Sequence, residues 1–373
     1  MAIMFLNPPF RKPYELYYFC NLAEEVIIVT DHDTYSKYCD WFDEFKAFNY
    51  KYVFISIEIQ GISKLFRFSS TAALINYDET QISKIIKDKN ITTIVSVEIF
   101  SSLSVQASRL SLRFSLKHIV IVWENIKKSL LYLLPPFSIN TKIVKSNANK
   151  FIAVSNISKE SILSLSINEH KIETIYPGIL INRFNQSNDS IDKILFVGNL
   201  EPYKGVDILL QTFKKLANYF FDVKLVIVGN GSLESKIMKM KSSGLKIEYR
   251  GYFPHSNLPI IYSECSIFCS PVLQVKRAGL ILTSQAQFEF TLVEAMASGL
   301  PIVSSNIGAI PEIIGSQNFI VSPKVDTVLA ALYRLLTCDD LRRKLRYKNR
   351  ERSMCRFNAL TQSLLFDKAI NRE

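Results

Sequence analysis

A chain of 373 residues with a hydrophobic share of 48% and no low-complexity tract is long enough for two ordinary domains, each with its own core. It has no run of about 18 uncharged apolar residues to span a bilayer. Met1 to Phe10, followed at once by Arg11-Lys12-Pro13, is too short for a secretory signal, so the expected location is the cytoplasm or the inner face of its membrane. A net charge of +11 suits nucleic acid, an anionic membrane surface or a phosphate-rich substrate; with Lys and Arg spread along the chain and no zinc-finger or RNA-recognition motif, nucleic acid has the least support. Six cysteines show no disulfide or zinc spacing, although Cys265 and Cys269 lie close together.

In the first half, apolar runs predict strands at residues 2–6, 26–30, 52–57, 93–97, 119–122 and 151–154, with helix-length segments between them. That alternation is the pattern of a doubly wound α/β sheet. Asp31-His32-Asp33, after the second strand, reads as a polar loop or a helix cap made by Asp33, with metal binding a weaker alternative; the other histidines carry no ligand pattern. Tyr35, Tyr38, Trp41, Phe42, Phe45 and Phe48 recur at helical spacing and read as core. The fifth strand ends in Trp123-Glu124-Asn125. Glu124 is the polar residue best placed to meet a ligand there, and an ordinary solvated loop acid is an equal reading; Trp123 reads as core packing ahead of sugar stacking. The stretch KKSLLYLLPPF at 127–137 reads first as a core helix ended by Pro135-Pro136, and second as a membrane-surface element. A polar linker is predicted over Asn182 to Asp192, between domains at 1–181 and 193–338, with closing helices at 339–373.

The second half opens with ILFVGNLEPYKG at 194–205, an apolar strand ending in Gly198 whose polar loop delivers Lys204 and Gly205 to a helix start. Open α/β sheets bind ligands at such strand ends, and the lysine can meet an anion, although a loop lysine is ordinarily solvated. The segment from Phe288 to Glu312, FEFTLVEAMASGLPIVSSNIGAIPE, places Glu294 at a loop-to-helix junction, closes the helix at Ser298-Gly299 and opens a strand after Pro301. Helix-start N–H groups there suit a phosphate and Glu294 suits sugar hydroxyls; the alternative is a capping box between Thr291 and Glu294. From Asp339-Asp340 a last helix carries Arg342, Arg343, Lys344, Arg346, Lys348 and Arg350, either a solvated face or a contact for anionic lipid.

The motifs FIAVSNISKESI, IETIYPGILINRF, ILFVGNLEPYKGVDILL, LVIVGNGSLESKI, IEYRGYF, IFCSP and VEAMASGLPIVSSNIGAIPEII follow one another in an order that resembles the retaining glycosyltransferases of family 4. The resemblance implies the GT-B form of the α/β class: two Rossmann-like doubly wound domains facing a central cleft, with a C-terminal helix crossing back to the first. It also implies transfer of a sugar from a nucleotide diphosphate sugar, such as a UDP- or GDP-sugar, to a glycan, lipid-linked or protein-linked hydroxyl, with retention and without a metal or further cofactor. Lys204, Glu294 and Glu124 become the catalytic candidates. The nucleotide-sugar site takes Gly198, Asn199, Lys204, Gly229, Tyr252, Phe253, Phe288, Glu289, Leu292, Val293 and Glu294.

Several positions depart from that family's pattern. Of its two glutamates eight positions apart, the first falls on Ala286 and the second on Glu294. Glu289 replaces a glycine, and Asn199 replaces an arginine and so loses the bidentate fork that grips a diphosphate. Asn7-Pro8-Pro9 stands in place of a glycine-rich loop, and no histidine follows the strand at 119–122. A catalytically degenerate nucleotide-sugar-binding or membrane-surface protein is therefore the alternative. The retained Lys204 and Glu294 put an active transferase ahead of it.

Overall fold

The computed structural model describes residues 2–8, 14–22, 24–39, 41–43, 52–60, 74–127, 129–187, 193–274 and 286–371. The chain divides into two units, one formed by Met1–Gly178 with Ala359–Glu373 and the other by Ile179–Asn358. Helix Asp339–Phe357 therefore belongs to the second unit and helix Ala359–Asn371 to the first. Of the expected linker, 182–187 belongs to the second unit and 188–192 lies outside the described residues.

Among the described residues the first unit has a seven-stranded parallel sheet: β1 (Ala2–Leu6), β2 (Glu25–Thr30), β3 (Tyr52–Ser56), β4 (Ile91–Val97), β5 (Lys117–Val122), β6 (Lys150–Ala153) and β7 (Ile172–Thr174). The spatial order is 3-2-1-4-5-6-7. Runs such as Val26-Ile27-Ile28-Val29 form strands rather than helix because every residue is buried, as a parallel sheet covered on both faces requires. Helix Ala359–Asn371 packs its Phe366 ring 5.3 Å from Tyr18 and 5.4 Å from Phe19.

Two local expectations are corrected in this unit. Asp31, not Asp33, caps the helix His32–Lys37, its carboxylate accepting from the Thr34 N–H at 2.9 Å, because Asp31 has the extended backbone of a cap and Asp33 is already helical. The apolar run at 127–137 is not a core helix: Leu130–Leu133 makes a single turn, Phe137–Asn147 starts a new helix, and Leu133 and Leu134 are exposed. Tyr35 stacks 5.2 Å from Phe42, which lies 4.8 Å from Phe54, so that part of the aromatic stretch is core, while Phe45 and Phe48 lie outside the described residues.

His118 on β5 is wholly buried, with Ser96 Oγ 2.8 Å from Nε2 and Ser108 Oγ 3.1 Å from Nδ1. Burial pushes its pKa down to about 3. Below the ordinary histidine pKa of 6.5 the unfolded chain binds a proton that the folded chain refuses, so stability falls as pH falls from 6.5 toward 3. Between pH 6.5 and pH 5 the loss is about 2 kcal/mol. Urea midpoints of the wild type and His118→Gln at pH 7 and pH 5 check this: the acid-induced loss should shrink by about that amount in the variant.

The second unit repeats the plan with β8 (Lys193–Val197), β9 (Lys224–Val228), β10 (Ile247–Tyr249), β11 (Ile267–Ser270), β12 (Ile302–Ser305) and β13 (Phe319–Val321), all parallel, in the order 10-9-8-11-12-13. The order reverses between β8 and β11. Open sheets leave a crevice at such a reversal, outside the carboxyl ends of the strands. Its helices include α1 (Val206–Leu216), α2 (Phe290–Ala297), α3 (Ile310–Ile314), α4 (Val325–Thr337) and α5 (Asp339–Phe357). No helix among the described residues is long and apolar enough to cross a membrane.

Candidate functional site

The loop after β8 is shaped by its glycines. A Cβ on Gly229 would lie 1.9 Å from the Gly198 carbonyl oxygen, so the ends of β8 and β9 approach this closely only with glycine there. Gly205 (φ +74°) begins α1, and its Cβ would lie 1.9 Å from the Pro271 carbonyl oxygen, just beyond β11. The start of α1 is thus seated at the reversal point. The 3-10 turn Pro202–Lys204 leads into it, with Asn199 exposed on the approach.

Lys204 does not stand open to solvent. Its Nζ is 2.7 and 2.9 Å from the two carboxylate oxygens of Glu289, with the side chains 19% and 11% exposed. Glu289 is the N-cap residue of α2 but makes no side-chain bond to its own helix. Ala286, where the first family acid was expected, is buried with left-handed backbone (φ +60°), and its carbonyl accepts from the Ala309 N–H at 3.0 Å.

Glu294 is corrected in position. It lies inside α2, whose first residue is Phe290, and not at the junction; Thr291 is helical and not the cap, so no capping box forms. Its carboxylate is buried, with Oε1 2.9 Å from His255 Nε2 and Oε2 accepting from the Tyr262 hydroxyl at 2.8 Å. Burial, and then the Glu294 charge, hold the Tyr262 pKa well above the tyrosine range. Neither His255 nor Tyr262 was identified from sequence: they stand 39 and 32 positions from Glu294, and no local pattern links them. The one available signal is that His255 follows Tyr252 and Phe253 closely in the stretch after β10.

The other expected residues divide. Tyr252 is exposed and Phe253 half-buried. Phe288, Leu292 and Val293 have buried side chains; Phe288 packs 5.1 Å from Phe290 and 5.9 Å from Phe357. A ligand near these three would meet backbone rather than side chain, because their side chains are turned into the core.

In the first unit Glu124 is buried, so the reading as a solvated loop acid is corrected. Its carboxylate accepts from the Ile126 N–H at 2.8 Å, and burial raises its pKa. The N–H groups of Trp123 and Glu124 both donate to Glu98 Oε1 at 3.1 Å, and Trp123 Nε1 donates to Glu15 Oε1 at 2.7 Å. Trp123 is therefore core, with its polar tip satisfied. Among the described residues no group of three or more His, Cys, Asp or Glu side chains is placed to hold a metal ion.

Residues 191–338 match the family described as Glycosyl transferases group 1. The matched stretch lies within the second unit. The phosphatidyl-myo-inositol mannosyltransferase of Mycobacterium leprae is 30% identical over 157 residues, 40% of this chain and 39% of that protein. The O-antigen chain mannosyltransferase B of Escherichia coli is 27% identical over 154 residues, 40% of this chain and 38% of that one. The chain thus spans about two fifths of the length of these curated relatives. Over the whole chain, the crystal structure of Anabaena HepE in complex with UDP is similar with a TM-score of 0.74 and 14% identity, covering 99% of both chains. A glycosyltransferase from Rickettsia africae gives 0.71 at 18% identity, covering 100% of this chain and 99% of that one. The fold is accordingly GT-B, with two Rossmann-like parallel-sheet units.

In the second unit, just past the matched residues, the basic helix α5 is neither simply a solvated face nor a free cationic surface. Arg350 donates to the carbonyl of Ala297, the last residue of α2, and to that of Phe184. Arg352 donates to Glu312 and Ile313 at the end of α3, and Arg342 to Leu335 near the end of α4. Three arginines so satisfy the orphan carbonyls of three helix carboxyl ends, where a cation also suits the helix dipole. Arg343, Lys344 and Lys348 remain on the exposed side.

Proposed function

We propose that this chain transfers a sugar from a nucleoside diphosphate sugar to an acceptor hydroxyl, with the donor held by the second unit. The observation that carries the reading is the placing of a lysine and the start of α2 beside the reversal of strand order, with the buried Glu294 about 6 Å further along the same helix. Lys204 and the N–H groups at the start of α2 would balance charge on the departing diphosphate. Glu294, oriented by His255 and Tyr262, would take ribose hydroxyls on the remaining lone pairs of its carboxylate.

In the transfer, the bond from the anomeric carbon to the β-phosphate oxygen breaks, the acceptor oxygen bonds to that carbon, and the acceptor's hydroxyl proton passes to the departing diphosphate. Retention at that carbon is part of the proposal, and so is an acceptor bound by the first unit, with Glu124 the carboxyl group offered there. The mannosyltransferase relatives, and the similar Anabaena structure in complex with UDP, support a nucleotide-sugar donor. The lipid and saccharide-chain names of those relatives support a lipid-linked or glycan acceptor, and Leu133, Leu134 and Ile139, exposed on the first unit, suit a membrane-borne one.

Calorimetric titration of the purified chain with UDP-, GDP- and ADP-linked sugars tests the reading. One base series should bind, and Glu294→Ala should weaken that binding at least about tenfold while lowering thermal stability, because Tyr262 and His255 lose a buried charged partner. Failure of every donor to bind would turn the assignment toward a degenerate, non-catalytic member.

A further inference from the structure

The cation on which donor binding depends is already neutralised. Both carboxylate oxygens of Glu289 lie on Lys204 Nζ, at 2.7 and 2.9 Å, in a setting largely shielded from water. The same carboxylate belongs to the N-cap residue of α2 and ignores that helix's own N–H groups. It thus occupies the lysine that a diphosphate oxygen at the start of α2 would have to meet.

We propose that Glu289 is an internal competitor for the donor diphosphate, and so sets donor affinity. Before Lys204 can take a phosphate oxygen, the Glu289 carboxylate must let go of it. A diphosphate carries enough charge to displace a single carboxylate, whereas a weakly charged anion does not, and the gate thereby selects for the diphosphate part of the ligand. Ala286 supplies no second acid, and Glu289 is the carboxylate that the structure places on Lys204. The inference rests on reading the second unit as a donor site.

Titration of the full chain with inorganic pyrophosphate, UDP and GDP, with uridine and guanosine as uncharged controls, separates the possibilities. Glu289→Gln should bind pyrophosphate and the preferred diphosphate at least about tenfold more tightly than wild type, with nucleoside binding unchanged. Equal or weaker diphosphate binding by Glu289→Gln, while Lys204→Ala remains weaker than wild type, would overturn the competitor and keep the donor site. Diphosphate binding that is the same in wild type and Lys204→Ala would overturn the donor-site reading and the competitor with it. Thermal unfolding checks each variant, and Glu289→Gly, which removes the side chain altogether, replaces Glu289→Gln if that variant folds poorly.

Discussion

Replacing Lys204 with alanine should lower affinity for the donor diphosphate by more than about a hundredfold. A hydrogen bond to a charged group contributes about 1.5–3 kcal/mol. The variant loses that contact and, in addition, leaves Glu289 facing the same space without its partner. Like charges about 4 Å apart in a partly shielded site repel by up to about 4 kcal/mol, and even a fraction of that brings the total to the 2.8 kcal/mol of a hundredfold change. The double variant Lys204→Ala/Glu289→Ala should recover part of the loss, because two groups in direct contact do not behave additively. A double-mutant cycle read by calorimetric titration decides the matter: additive losses would mean that Lys204 and Glu289 do not share the ligand's position.

Gly205→Ala should be the most disruptive single change in the loop. The new methyl carbon would lie 1.9 Å from the carbonyl oxygen and 2.6 Å from the carbonyl carbon of Pro271, both backbone atoms that cannot rotate away. The residue would also be held at φ +74°, which costs an L-residue about 1–2 kcal/mol before any clash. A total of about 3 kcal/mol or more corresponds to a fall in Tm of roughly 6–12 °C for a unit of this size, and donor binding should go with it as α1 shifts off β11. Gly244→Ala provides the comparison: it too has positive φ (+94°), but nothing lies within 4 Å of its Cβ, so only the conformational cost of about 1–2 kcal/mol remains. Thermal unfolding of the two variants side by side checks the claim, and similar Tm values would show that the Pro271 contact does not constrain the loop.

The secondary structure was legible because its causes are local. The apolar runs at 26–29 and 194–197 could be strands only if buried on both faces, and the expected ranges differ from β1–β6 by no more than two residues at either end. Ser298-Gly299 and Pro301 end α2 and begin β12 as expected, since a left-handed glycine and a proline act on their own backbone. The motif order, too, placed Lys204 and Glu294 in one domain.

The partners of those residues were not legible. Glu289 lies 85 positions from Lys204, and His255 lies 39 from Glu294; neither pairing follows from any spacing along the chain. The helix α5, read as a basic surface, spends Arg342, Arg350 and Arg352 on the carboxyl ends of other helices, because those ends are brought beside it only in the folded unit. Periodicity, turn residues and charge therefore settled the elements and the types of group available. Which carboxylate meets which cation was decided by the tertiary structure, where the reversal between β8 and β11 draws the loop carrying Lys204 and the start of α2 into contact and excludes much of the water between them.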